Sequence, residues 1–255
     1  MLNPDKIFSV NETFILHKKK LYLYSFIMKV LGIETSCLVG NIAICDGNRV
    51  VARKSYGKNF SHGKEIVSTI ELLFNEIKWD PSNIDLIAVS TGPGSYTGLR
   101  VGVTCAKTLA YGLGKPVIDV PTLDVLVENV KDNGAKTICP VLDAQRKSVY
   151  ACIYDRSNNE SRKTTDFLII SPDSLIDILP ESTLIFGDGI APYREIFSQK
   201  NLTIVEDEKL CIADAADVAQ LGLKKYEQGM RCEINVLAPL YLRKSEAEER
   251  LKESR

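Results

Sequence analysis

The run Thr91-Gly92-Pro93-Gly94-Ser95-Tyr96-Thr97-Gly98-Leu99-Arg100 is the segment of this chain best equipped for chemistry. It follows a predicted strand, Ile84–Ser90, and opens a predicted helix, Leu99–Tyr111. A glycine-rich turn between a strand and a helix start presents backbone N–H groups at a positive dipole end, which favours anions such as phosphate. The run is no Walker A, because G-x-x-x-x-G-K-[ST] is absent. Its glycines at 92, 94 and 98 are also wrongly spaced for a dinucleotide fingerprint. Physics alone leaves an anion site and a tight structural turn both open. Gly92, Gly94 and Ser95 are its candidate phosphate-binding residues. Asp143, at another strand end, reads as a turn former or cap before it reads as a catalytic acid.

Other chemistries are poorly supplied. Histidines number two, His17 and His62, and neither H-x-x-x-H nor H-E-x-x-H occurs, so a metallohydrolase lacks its ligands. Ser95 has no histidine nearby in sequence to activate it, which leaves a peptidase without a nucleophile system. The seven cysteines form no C-x-x-C pair and mostly sit in apolar runs, as buried small hydrophobes of a reducing compartment do. Lys and Arg total 32 against 33 Asp and Glu, for a net charge of −1. Phosphate neutralisation supplies much of nucleic-acid affinity, so a chain without a basic surplus is not expected to grip RNA or DNA by itself.

These segments need a scaffold, and the patterning supplies one. Lys29–Thr35, Val39–Cys45 and Arg49–Tyr56 read as a meander, with Asp46-Gly47-Asn48 as a hairpin turn. His62–Lys78 has helical period: Ile66, Ile70, Leu73 and Ile77 make a stripe that Val67 and Phe74 widen. Leu72 falls away from that stripe, as a stray exposed residue or as a contact for another chain. The helix Leu99–Tyr111 is rich in small residues (Gly102, Thr104, Cys105, Ala106, Ala110), with Gly112 suited to its C-terminal cap. Pro116–Val120 is a further strand. The order β-β-β-α-β-α-β then restarts with strands at Thr137–Leu142, Ser148–Tyr154 and Thr164–Ile170. A short helix follows behind Ser171-Pro172, then a strand at Leu184–Gly187 and a helix at Ala213–Gln228. Gly187-Asp188-Gly189 reads as a strand-end turn before it reads as part of a nucleotide site. The chain is expected to be α/β with two related halves, 28–123 and 124–242, each a mixed sheet flanked by helices. The last helix is expected to be able to pack back on the first half. Residues 1–27 are expected to be a dispensable extension or an over-called start, and 243–255 a charged tail with five basic and four acidic residues. No stretch reaches the ~20 apolar residues of a membrane-spanning helix.

The string Gly-Pro-Gly-Ser-Tyr-Thr-Gly-Leu-Arg from Gly92 to Arg100, continued by Val-Gly-Val-Thr-Cys-Ala-Lys-Thr-Leu-Ala, closely resembles the signature of the TsaB family. Leu31-Gly32-Ile33-Glu34-Thr35-Ser36 is similar to that family's opening strand, where the acid is usually Asp. Ser61-His62-Gly63-Lys64-Glu65, Asp143-Ala144 and Pro239-Leu240-Tyr241-Leu242-Arg243 resemble further family segments. The resemblance covers about residues 28–243, and the nine-residue loop is its specific part. It implies the actin-like ATPase (ribonuclease H-like) fold. It also implies a cytoplasmic, non-catalytic partner in the synthesis of threonylcarbamoyladenosine on tRNA. Such a partner supports a larger metal-containing TsaD-type transferase, together with a small TsaE-type ATPase. The tRNA is then met only indirectly, and the same helices offer a surface for a homodimer when the protein is alone. Pairing through first-half helices would use Ile66, Val67, Ile70, Leu72, Phe74, Gly102, Cys105, Ala106 and Leu109. The resemblance fixes no cofactor; ATP or ADP at an interface of the complex is the candidate. The competing reading is an active ATPase or small-molecule kinase of the same fold. Glu34-Thr35-Ser36 would be its first phosphate loop, so that Thr35 and Ser36 join the candidate phosphate-binding residues, and Asp143 the acid of the second. Against it, Asp143-Ala144-Gln145-Arg146-Lys147 carries bulky side chains where such enzymes usually have glycine to admit phosphate.

Overall fold

The computed structural model describes residues 28–57, 62–130, 134–157 and 160–243, and the side chain of His62 is not among them. The expectations for 1–27 and for the tail beyond Arg243 lie outside the described residues. Five strands open the fold: β1 (Lys29–Glu34), β2 (Gly40–Asp46), β3 (Arg49–Tyr56), β4 (Leu86–Gly92) and β5 (Val117–Pro121). They form one sheet in the order β3-β2-β1-β4-β5. β1 runs antiparallel to β2 and parallel to β4, and β4 runs parallel to β5. The antiparallel edge follows from the tight turn at Gly47, φ +57°. The parallel part needs crossover helices, and α1 (His62–Ile77) and α2 (Tyr96–Leu113) supply them.

The second half repeats the plan. β6 (Thr137–Asp143) is central, with β7 (Val149–Ala151), β10 (Leu168–Ile170), β11 (Leu184–Phe186) and β12 (Thr203–Val205) in the order β10-β7-β6-β11-β12. Directions match the first sheet: β6 is antiparallel to β7 and parallel to β11. The expected single strand at Ser148–Tyr154 is broken at Cys152-Ile153. β8 (Tyr154–Asp155) pairs further along β6, at Thr137 and Ile138, and carries β9 (Arg162–Lys163) beside it. The crossovers here are shorter: α4 (Pro172–Ile178) and α5 (Arg194–Phe197). Ser171 Oγ caps α4 by accepting from Ser174 N at 3.2 Å.

Three apolar layers hold the two sheets. α1 and α2 cover one face of the first sheet through Ile66, Ile70, Leu73, Phe74, Val103 and Ala106. The other face is covered by α6 (Ala215–Glu227), which comes from the end of the chain. α3 (Thr122–Glu128) follows β5 directly and packs toward the second sheet, so each half covers the other with its last helix. α4 and α5 close the outer face of the second sheet with Leu175, Leu179 and Phe197. Contact across the central layer is close. A Cβ on Gly32 would stand 2.0 Å from Ala215 O, and one on Gly222 would stand 2.5 Å from Ala88 Cβ. Asn41 fixes the start of α6, donating to Ala213 O at 2.9 Å and accepting from Ala215 N at 2.5 Å. Such a paired amide keeps a buried polar group from costing about 1–3 kcal/mol unsatisfied.

Candidate functional site

The parallel strands of both sheets point their carboxyl ends at one cleft, of about 1170 Å³. Open α/β sheets gather ligands at such strand ends. Its walls are the β1–β2 loop with Ser36 and Cys37, the start of α2, the turn Asp143–Arg146, Asp188, and Tyr241 with Arg243.

The first wall brings the candidate phosphate residues together, and closes them on each other. Ser95 N donates to Ser36 O at 2.8 Å. A Cβ on Gly94 would stand 2.5 Å from the same oxygen. Ser95 Oγ caps α2 by accepting from Gly98 N at 3.2 Å, so its hydroxyl serves the helix, and the run is helical from Tyr96 onward. α2 thus begins at Tyr96, three residues before the predicted start. It ends at the left-handed Gly114 (φ +64°) instead of Gly112. Thr35 is buried beneath this helix: Cβ atoms on Gly98 and Gly102 would meet Thr35 O at 2.0 Å and Thr35 Oγ1 at 2.1 Å. Gly92 is buried, and the Gly92–Pro93 peptide is cis.

Glu34 lies below the loop, fully buried. Its Oε1 accepts from Ser36 N and from Ser36 Oγ, each at 2.5 Å, while Oε2 completes no hydrogen bond. Burial pushes its carboxyl above the ordinary value of 4.5, with the Ser36 bonds and nearby Ser90 opposing the rise. Burial also drives the Cys37 thiol up to about 12, helped by Glu34, which makes it a poor nucleophile. The native state therefore holds the Glu34 proton to higher pH than the unfolded chain does. The stability this contributes is complete below pH 4.5 and is lost as pH rises through the folded value. Glu34→Gln is expected to flatten that part of the curve. Denaturant unfolding of both proteins from pH 4.5 to 8 checks this, and an unchanged slope would remove Glu34 as the cause.

The second wall spends its amides in the same way. Asp143 N donates to Asp188 Oδ1 at 2.9 Å, and Gln145 N to Asp143 Oδ1 at 2.8 Å. Ala144 N and Ser148 O close the turn at 3.1 Å, and Ser148 N donates to Gln145 O at 3.0 Å. Asp143 is thus a turn cap, and Gly187–Gly189 a strand-end turn whose Asp188 carboxyl is raised mainly by burial. Gln145, Arg146 and Lys147 all sit in the left-handed region, with φ of +57°, +50° and +58°. Each non-glycine residue there costs on the order of 1 kcal/mol.

The cleft mouth carries a cluster that the sequence reading left out. Arg100 stacks over the Tyr96 ring at 4.1 Å, donates to Tyr96 Oη, and donates from Nε to Tyr241 Oη at 3.0 Å. The two rings lie 4.9 Å apart. Arg100 itself is exposed, so the cluster lies at the surface of the cleft mouth.

The remaining expected residues divide by face. Ile66, Ile70 and Phe74 are buried against the first sheet, and Gly102 and Ala106 are buried on the inner side of α2. The core of the chain itself uses them, so they are unavailable as partner contacts. Val67 is 67% and Leu72 53% exposed, while Cys105 and Leu109 are half-buried. Among the described residues, no group of three or more His, Cys, Asp or Glu could hold a metal ion. No helix among them is long and apolar enough to cross a membrane.

The family model for TsaD, the tRNA N6-adenosine threonylcarbamoyltransferase, matches residues 59–251. The tRNA threonylcarbamoyladenosine biosynthesis protein TsaB of Bacillus subtilis is 29% identical over 237 residues, which is 89% of this chain and 99% of the relative. The protein of the same name from Escherichia coli is 23% identical over 231 residues, 88% and 98% of the two chains. The solved structure of YeaZ from Pseudomonas aeruginosa superposes with a TM-score of 0.74 at 24% identity, over 84% of this chain and all of that one. At that identity the likeness is one of fold.

Proposed function

The chain belongs to the TsaB family, within the wider family of the TsaD threonylcarbamoyltransferase, and from this we propose that it is the non-catalytic partner of such a transferase. Its place is in the biosynthesis of threonylcarbamoyladenosine on tRNA, which is what its relatives are named for. It binds and supports the larger metal-containing paralogue, and a small TsaE-type ATPase joins them in the cytoplasm. Alone, it pairs with a second copy.

The observation that carries the non-catalytic part is the amide bonding of the two loops. An actin-like ATPase or kinase must aim backbone N–H groups at phosphate. Here the N–H groups of Ser36, Ser95, Asp143, Ala144 and Gln145 are spent on oxygens of the chain itself. Reaching phosphate would mean breaking these bonds at the cost of the turns they hold. The near-zero net charge fits a division of labour in which the partner holds the tRNA. The face offered to the partner is the outer side of α1, with Val67 and Leu72 exposed.

Depleting the protein is expected to remove threonylcarbamoyladenosine from cellular tRNA, measured by mass spectrometry of digested nucleosides. Normal levels of the modified nucleoside after depletion would reject the reading.

A further inference from the structure

After Leu237, which is buried, the chain runs across the mouth of the cleft and touches both halves. Leu240 N donates to Thr91 O at 2.7 Å, at the end of β4. The Tyr241 ring lies on Tyr96, and its hydroxyl accepts from Arg100. Two residues on, Arg243 donates to Ala144 O at 2.8 Å and reaches Gln145 O at 3.5 Å, in the β6–β7 turn of the second half. One short segment therefore joins the strand ends of one sheet to those of the other.

We propose that Pro239–Arg243 is a detachable strap, which ties the loop at the end of β4 to the β6–β7 turn and closes the mouth of the cleft. This does not depend on the transferase-partner reading.

Detachability follows from how the segment is held. Leu237 is its last buried apolar anchor; Leu240, Leu242 and Arg243 are half-buried and Tyr241 is exposed. A handful of hydrogen bonds and one ring contact must offset the backbone and side-chain entropy of ordering five residues, and these are of similar size. Segments held this way open at the low end of the local stability range. The second anchor is unusual in itself. The turn that Arg243 grips contains the three left-handed residues Gln145, Arg146 and Lys147, a conformation that persists only where surroundings over-determine it. Arg243 supplies part of that determination from outside the turn. A molecule entering past Tyr96 and Arg100 has to displace Tyr241 first.

Hydrogen exchange on the full chain tests this, against a chain ending at Leu237 and the double variant Tyr241→Ala/Arg243→Ala. Amides in 92–100 and in 144–150, on opposite halves, are expected to exchange at least about threefold faster in both altered chains, with β1 and β6 unchanged. Unchanged exchange in both segments would overturn the strap, and so would acceleration on one half alone. A uniform rise along the whole chain would overturn it too, by making the segment part of the global fold. If the shortened chain does not fold, the double variant alone decides.

Discussion

Replacing Gly98 by alanine is expected to lower the stability of this protein by about 3 kcal/mol, whereas the same change at Gly112 raises it by about 0.5–1 kcal/mol. Both glycines lie in α2, and helix propensity favours alanine at both. The surroundings decide the sign. A Cβ on Gly98 would stand 2.0 Å from Thr35 O, a backbone atom at the end of β1, and 3.2 Å from Ser95 Oγ. Relief requires the helix start or the β1–β2 loop to move by more than an ångström. Either movement disturbs the Ser95 N to Ser36 O bond as well. At Gly112 nothing lies within 4 Å of the added carbon, so the lost unfolded-state freedom acts alone. For a chain of this size the Gly98 change corresponds to a melting temperature lower by roughly 6–12 °C. Thermal unfolding of the two variants beside the parent measures this. A Gly98→Ala protein as stable as Gly112→Ala would show that α2 does not sit on β1 as described.

The contrast between those glycines also marks how far sequence reasoning reaches. Periodicity located α1 and most of its buried stripe, because Ile66, Ile70, Leu73 and Phe74 face the sheet, whereas Val67, read as widening the stripe, is 67% exposed. Turn chemistry located the β2–β3 hairpin through Gly47, and capping located α4 through Ser171. The small residues of α2 signalled a close approach but could not name the neighbour. Gly102 and Ala106 suggested a partner helix, whereas Gly102 meets Thr35 of its own chain. α3 escaped notice because Pro121 ends β5 and caps the helix at once, leaving no loop as a boundary. The strap was hidden for a different reason. Arg100 and Tyr241 are 141 positions apart, and no local pattern links an arginine on a helix to a tyrosine near the chain end. The resemblance flagged Tyr241 and Arg243 by identity alone, without what they touch.

Glutamate at Val67 and Leu72 together is expected to leave the fold intact and to weaken association with the transferase paralogue by at least about 100-fold, equivalent to about 2.7 kcal/mol. The argument starts from one helix with two faces. Ile66, Ile70, Leu73 and Phe74 are at most 6% exposed, while Val67 is 67% and Leu72 53% exposed. Polar neighbours Lys64, Ser68, Glu71 and Asn75 share the outer side, so a charge added there meets water and costs the free chain little. In the complex the same charge would be stripped of water against an apolar contact, a penalty of several kcal/mol when unpaired. Truncating a residue at the centre of an interface costs about 2 kcal/mol or more, so two charges within the proposed contact are expected to reach the stated loss. Ile70→Glu is the control with the opposite failure: it places the charge in the core against the first sheet and is expected to unfold the chain before any partner is met. Affinity measured by calorimetry, with circular dichroism to follow folding, separates the two. Unaltered affinity in the folded double variant would move the interface off α1, while leaving the assignment to the family untouched.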